Sequence, residues 1–183
     1  INTVEKYSKF VISKLDGYVD TTHVLIIQYD GFILNPDAWS DEYYKYDYIG
    51  APWLVSNWFV KEHDFPEEAL GTMLVGNGGF SLRSKKLLTL LSGMSESNEI
   101  SEYHPEDVVV CVRLRKELES RGIVFAPEDV AGQFSFESLD DQNNYKWTDQ
   151  FGFHGLKWTD ISKWLDKHPE LDIDNTLNRD IKK

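Results

Sequence analysis

The sequence holds one cysteine, Cys111, in 183 residues. A single thiol cannot close an internal disulfide or build a multi-cysteine zinc site, so neither device holds this chain together. That usage suits a reducing compartment, and the expected location is cytoplasmic. Basic residues are scarce as well: 19 Lys and Arg stand against 31 Asp and Glu, a net charge of −12. Such a field repels nucleic acid and anionic membrane, so no nucleic-acid partner is expected and a phosphorylated substrate needs local cations or a metal. No run approaches the roughly 18 apolar residues of a membrane span, and no signal-peptide pattern is present. Internal repeats and low-complexity segments are missing too. What remains is a sequence rich in aromatics, at 14%, and long enough for residues 1 to 183 to form a single domain. Residue 1 is Ile rather than Met, so the expectation is a piece of a longer polypeptide whose further domains are possible partners.

Strand and helix signals alternate along the chain, which points to an α/β fold. Residues 2 to 16 fit an amphipathic helix capped by Asn2, with Val4, Tyr7, Val11 and Leu15 on one face and Gly17 at its end. Val24 to Ile27 form a continuous aliphatic run, the signature of a strand covered on both faces by helices, and this one ranks as the best buried in the chain. Asn35-Pro36-Asp37 turns into a short helix through Tyr44. Tyr46-Asp47-Tyr48-Ile49-Gly50 is a short strand closed by Ala51-Pro52-Trp53, where Pro52 favours a defined loop over a continued strand, and residues 54 to 73 show no period, as in a long loop. Three glycines at 76, 78 and 79 precede the strand-like Phe80-Ser81-Leu82. Ser84 caps a helix with Leu87, Leu88, Leu91 and Met94 inward, ended by Gly93. Pro105 opens a helix to about Ser120 that buries Val108, Cys111, Val112 and Leu118. Short strands are expected at 123 to 125, 134 to 136 and 151 to 153, with a polar loop at 138 to 149. A last helix runs from a Thr159 cap to Lys167, with Ile161, Trp164 and Leu165 apolar, and a polar tail follows from 170.

Four places carry candidate chemistry. Asp30 stands at the exit of the 24 to 27 strand, where α/β sheets gather ligands. It either begins the turn at Gly31 or contacts a metal or substrate. Glu106 and Asp107 occupy the first turn of a helix. They complement its dipole by about 0.3 to 1 kcal/mol, or one of them takes a proton from an acceptor hydroxyl as a general base. His154 sits between glycines at a strand end, either as a structural hydrogen-bonding residue or, with Asp30, as half of a mixed oxygen and nitrogen site suited to manganese. The glycine segment lacks the Gly-Lys-Ser/Thr of a Walker loop and does not match the dinucleotide fingerprint, so it reads as a wall that a substrate approaches closely. Tyr46, Tyr48, Trp53 and Trp58 fall near the same cleft, where rings can pack on sugars or simply fill the core and rim.

Seven blocks occur in order: Val24 through Pro36 (VLIIQYDGFILNP), Asp47 through Trp53 (DYIGAPW), Val75 through Ser84 (VGNGGFSLRS), His104 through Val108 (HPEDV), Arg121 through Pro127 (RGIVFAP), Phe134 through Glu137 (FSFE) and Phe151 through Gly155 (FGFHG). Together they resemble a family of glycosyltransferase-like proteins catalogued as a domain of unknown function and related to the metal-dependent GT-A fold. The resemblance implies a GT-A-like mixed sheet flanked by helices, a nucleotide-sugar donor, a carbohydrate or other hydroxyl acceptor, and a divalent metal, manganese or magnesium. It puts Asp30 on the metal and the donor diphosphate, with Gln28 standing where the family motif has its first Asp. It makes Glu106-Asp107 the acidic pair that faces the acceptor, Asp107 the favoured base and Glu106 the alternative. His154 completes the metal site, and Gly78 and Gly79 line the sugar and acceptor pocket. Only 29 residues precede Asp30, which implies that the first β-α-β elements are lacking. Two functions are therefore expected: metal-dependent glycosyl transfer in glycan or polysaccharide synthesis, or a non-catalytic carbohydrate-binding or scaffold module derived from such an enzyme.

Overall fold

A computed structural model describes residues 1–137, 147–155 and 162–169, and these form an α/β fold whose strands are divided among three small sheets. The central sheet has the order β1-β6-β3, from β1 (His23–Ile27), β6 (Phe80–Ser84) and β3 (Tyr48–Gly50), and all its pairings are antiparallel. Leu82 pairs with Leu25 on one side and Ile49 on the other. A second sheet sets β8 (Gly152–Phe153) between β2 (Phe32–Ile33), antiparallel, and β7 (Ser135–Phe136), parallel. The third pairs β4 (Pro52–Leu54) with β5 (Met73–Val75).

The burial ranking inverts the expectation for β1. It is an edge strand, half-buried along most of its length and exposed at Ile27, whereas all five residues of β6 are buried. The reason is chemical: β6 carries Ser81, Arg83 and Ser84 inward, and each finds an internal partner. Ser84 Oγ donates to Asp47 Oδ1 at 2.6 Å, and Arg83 Nε donates to Ser81 Oγ at 3.0 Å. Polar residues in a sequence look exposed until such partners are known.

Helix α1 (Val4–Ser13) is capped by Thr3 rather than Asn2, the Lys6 N–H donating to Thr3 Oγ1 at 3.2 Å. Its buried residues are Ser8, Val11, Ile12 and Ser13; of the expected stripe Val11 is buried, Tyr7 and Leu15 are half-buried and Val4 is exposed. The expected long loop at 54 to 73 instead contains α2 (Asn57–His63), capped by Ser56, and a 3-10 turn at Glu67–Ala69. Seven residues with only Phe59 buried are too few to show a period. The loop expected at Ala51-Pro52-Trp53 is reduced to Ala51, because Pro52 opens β4 and pairs with Val75 at the first position of a strand, where proline is tolerated. Helix α3 (Lys85–Glu96) starts as the sequence predicts, with Ser84 accepting from the Leu87 N–H at 3.0 Å and Leu87, Leu88, Leu91 and Met94 inward. It runs past Gly93 to Glu96, because a glycine weakens a helix without ending one.

The helix expected from Pro105 is composite: α4 (Glu106–Val108), a π-helical turn (Val109–Arg113) and α5 (Arg115–Ser120), with Pro105 as the cap. The wider turn lets Val109, Val110 and Cys111 all face the core in succession, while Val112 is half-buried. No strand forms at 123 to 125; Phe125 makes a single parallel bridge with Tyr48, and Val124 is 47% exposed. The strand expected at 134 to 136 forms as β7 over Ser135–Phe136, while Phe134 ends α6 (Glu128–Phe134), which follows Pro127 and carries Glu128 and Asp129 in its first turn. Helix α7 (Ser162–Leu165) anchors the end, its Trp164 indole donating to Leu34 O at 2.8 Å. The Thr159 cap, Ile161, most of the 138 to 149 loop and the tail from 170 lie outside the described residues.

The core fills both faces of the central sheet. Ile12, Leu87, Leu91, Val110 and Leu118 pack on one side, and Tyr43, Ile49, Phe80, Phe134 and Phe151 gather on the other. Each such side chain stabilises the fold by roughly 1.5 to 3 kcal/mol. Among the described residues no helix is long and apolar enough to cross a membrane.

Candidate functional site

Beyond Ile27 the β1 chain turns sharply. The Gln28 N–H donates to Gly79 O at 2.7 Å, and the Gly31 N–H to Gln28 O at 3.0 Å. The Gly155 N–H donates to Asp30 O at 3.2 Å, tying this turn to the end of β8. The parallel register that pairs Phe136 with Phe153 carries on by one residue and sets Glu137 beside His154. Asp30 and His154, 124 positions apart in the sequence, meet through these strand ends.

His154 Nε2 lies 3.1 Å from Asp30 Oδ1 and 3.2 Å from Gln28 Oε1, while Nδ1 lies 2.6 Å from Glu137 Oε1. Burial would lower the pKa of the imidazole, but hydrogen bonds and charge from Asp30 and Glu137 outweigh it and raise it to about 10. For Asp30, burial pushes upward and the His154 contacts outweigh it, leaving its carboxyl below the usual range. At neutral pH the three form a line of alternating charge, carboxylate, imidazolium, carboxylate. Glu137 is held from behind by the Trp53 indole, which donates to Oε2 at 2.7 Å.

The glycines serve this packing. An ideal Cβ on Gly79 would lie 2.1 Å from His154 Nε2, and one on Gly78 would lie 2.2 Å from Glu106 Oε1. The close neighbours that Gly78 and Gly79 admit are thus side chains of the protein itself. Asn77 precedes them in the left-handed region at φ 62° and accepts the Phe80 N–H at 2.8 Å.

The Glu106-Asp107 pair divides its roles. Glu106 is 4% exposed; its Oε1 accepts from Arg83 Nη2 at 2.7 Å and its Oε2 from the Asp107 N–H at 2.8 Å. Arg83 is fully buried and stands over the Tyr48 ring at 5.0 Å. Glu106 is therefore spent on an internal ion pair. Asp107 is partly exposed, and its oxygens accept the Gly78 and Val108 N–H groups at 3.0 and 2.9 Å. Burial, with the charges of Glu106 and Glu137, pushes its carboxyl up to about 7 against the pull of those two N–H donors. A carboxyl so poised can hold or accept a proton near neutrality.

Gln28 Oε1, Asp30 Oδ1 and His154 Nε2 are the donors that could hold a divalent cation. Separations of 3.1 and 3.2 Å match the edge of an octahedron with bonds of about 2.1 Å. Asp30 Oδ1 is buried and lacks a well-directed hydrogen bond among the described residues, although His154 stands within ion-pair distance. No three His, Cys, Asp or Glu side chains among the described residues are grouped to hold a metal; the third donor here is an amide. Two oxygens and one imidazole suit manganese better than magnesium, which prefers oxygen ligands alone, and such an ion would take the place of the His154 proton.

The family described as "Protein of unknown function (DUF5672)" matches residues 1–154. The chain belongs to that family. The matched span takes in every residue of the site, from Gln28 to His154. No curated protein and no solved structure matches the chain.

The structure brings together Gln28, Asp30, Gly79 and His154, and sets Glu106 and Asp107 against Gly78. Glu137 and Arg83 had no role in the sequence reading. Glu137 ends the FSFE block and Arg83 lies in FSLRS, both of which read as strand, and only the strand pairing shows what their side chains meet. Two clefts flank the site. One of about 630 Å³ reaches Glu137 from between β4, β5 and α6, and another of about 580 Å³, lined by Val4, Tyr7, Ile27 and Tyr29, reaches Gln28.

Proposed function

We propose that the protein is a metal-dependent glycosyltransferase that moves a sugar from a nucleotide-sugar donor to an acceptor hydroxyl. The observation that carries this reading is the convergence of Gln28, Asp30 and His154 on one side of the Gly78-Gly79 segment, with Asp107 hydrogen-bonded to that same segment. Asp30 and His154, with Gln28 as a further donor, would hold manganese or magnesium, which would supply Lewis-acid stabilisation of a leaving diphosphate. Asp107 takes the proton of the acceptor hydroxyl as its oxygen bonds to the anomeric carbon and the bond to the diphosphate breaks, an inverting displacement. The two backbone N–H groups on Asp107 fix its direction, and Glu106, braced by Arg83, holds the Asp107 N–H. In a chain of net charge −12, a divalent cation held at this corner would also supply the local positive charge that a phosphorylated donor needs.

The test is calorimetric titration of UDP- and GDP-sugars with and without manganese. Saturable, manganese-dependent binding is expected, and Asp30→Ala and His154→Ala abolish it. Asp107→Asn removes transfer while donor affinity stays within about twofold, as for a group acting only in the transition state. Sugar binding that needs no manganese and survives Asp30→Ala would instead make the protein a non-catalytic carbohydrate-binding module.

A further inference from the structure

The cleft of about 630 Å³ beside Glu137 is walled by α6 on one side and by Pro52 and Met73 of the β4-β5 pair on the other. Its charged lining is wholly acidic: Glu128, Asp129 and Glu137, with no Lys, Arg or His among the described residues that line it. Acidic residues in the first turn of a helix are ordinary complements of its dipole, so Glu128 and Asp129 alone say little. Two further features are not explained that way. Ser135 is fully buried and lines the cleft, yet its Oγ has no hydrogen-bond partner among the described residues. A buried hydroxyl left unpaired is unfavourable unless a ligand or water completes it. Gly132 interrupts α6, where any other non-proline residue would favour the helix. Its missing Cβ would meet only Pro52 Cγ, at 4.0 Å, so no protein neighbour demands a glycine there. The residue keeps the floor of the cleft open.

We propose that this cleft is the acceptor subsite and that it takes a polyhydroxylated acceptor bearing an ammonium group, the chemistry of an amino sugar. The inference rests on the glycosyltransferase reading for the word acceptor, but the binding itself does not depend on it. Hydroxyls and an ammonium are donors, and Glu128, Asp129 and Ser135 Oγ offer acceptors to meet them, while the Gln150 amide is engaged at both ends by Thr148. Anionic sugars meet three carboxylates and no cation among the described residues that line these walls. Glu137 joins the cleft to the reaction centre, since its other face contacts His154 at 2.6 Å.

The experiment is an amide-resolved NMR titration of the protein with glucosamine, glucose and glucuronate, without nucleotide or metal, repeated in Asp30→Ala. Glucosamine is expected to shift resonances of α6 and β7 saturably, in both proteins; glucose binds more weakly and glucuronate does not saturate. Replacing both Glu128→Gln and Asp129→Asn raises the glucosamine Kd about tenfold, the loss of one charge-assisted contact. Gly132→Leu fills the cleft and abolishes binding while the far-UV spectrum stays that of the wild type. Glucuronate binding as tightly as glucosamine, no glucosamine binding, or unchanged affinity in both sets of variants would overturn the proposal. Binding that persists in Asp30→Ala, alongside a failed donor titration, would retain the subsite and reject the transfer reaction.

Discussion

Gly79 and His154 show how finely the site is fitted. With an ideal Cβ only 2.1 Å from His154 Nε2, Gly79→Ala must push the ring away from Asp30 and Glu137. Overpacking of this kind costs about 1 to 3 kcal/mol. Urea unfolding should register that loss, and manganese-dependent nucleotide binding should fall with it. Gly17→Ala is the control, because nothing lies within 4 Å of its Cβ position and no destabilisation of that kind is expected. Unchanged stability in Gly79→Ala would mean that the ring is not seated as described. At this scale the sequence was informative about groups with a chemical signature. Asp30, His154 and Asp107 announce themselves by charge, flanking glycine or helix position. Glu137 does not, since its meeting with His154 depends on the parallel pairing of two-residue strands, which no local pattern specifies.

At the scale of elements, β6 and α4 are joined by the Arg83–Glu106 pair, with side chains 0% and 5% exposed. Removing one member leaves the other charged and buried, at about 3 to 5 kcal/mol, whereas replacing both with apolar or neutral residues of similar size is often near neutral. Arg83→Met and Glu106→Gln should each destabilise strongly, and the double variant should recover most of the loss. A double-mutant cycle from urea unfolding measures the coupling, and additive losses would show that the pair is not a closed unit. Its role would then be to hold Gly78 and Asp107 in place, through the Asp107 N–H and the Gly78 carbonyl, the latter 3.5 Å from Arg83 Nη2. The same pair explains why β6 was hard to recognise as the central strand. The apolar period located α1 and α3, because a helix of ten or twelve residues reports its own period, and the cap was read correctly for α3, while that of α1 is Thr3 rather than Asn2. Seven-residue helices such as α2 and α6 report too little of it, and only Ser56 and Pro127, their caps, mark where they begin.

Across the whole molecule, net charge and the buried imidazolium act on stability in the same direction. His154 is raised to about 10 in the folded protein, against roughly 6.5 when unfolded. Between those values the folded state holds a proton that the unfolded state releases. The stability it contributes is fully present below about pH 6.5 and is lost as pH rises through about 10, with a limiting slope of about 1.4 kcal/mol per pH unit. Asp107, raised to about 7, adds a descent of the same sign between its unfolded value and neutrality. Asp30, whose carboxyl is depressed, works oppositely and weakens the fold only as pH falls through the acid range. Self-repulsion of a chain at −12 also grows with pH, but salt screens it, whereas the buried line of Asp30, His154 and Glu137 is screened far less. Urea unfolding from pH 6.5 to 10 in about 0.5 M salt, where the screening length is under 10 Å, also crosses the titration of Asp107 and the range in which the Cys111 thiol ionises only when unfolded, so the imidazolium is read from the difference between the wild type and His154→Gln. The wild type should lose stability steadily through that range. His154→Gln should begin less stable, having left two carboxylates without their cation, and should show a flatter profile. A wild-type profile as flat as that of the variant would mean that the folded protein carries His154 neutral, and the charge alternation at the site would have to be abandoned.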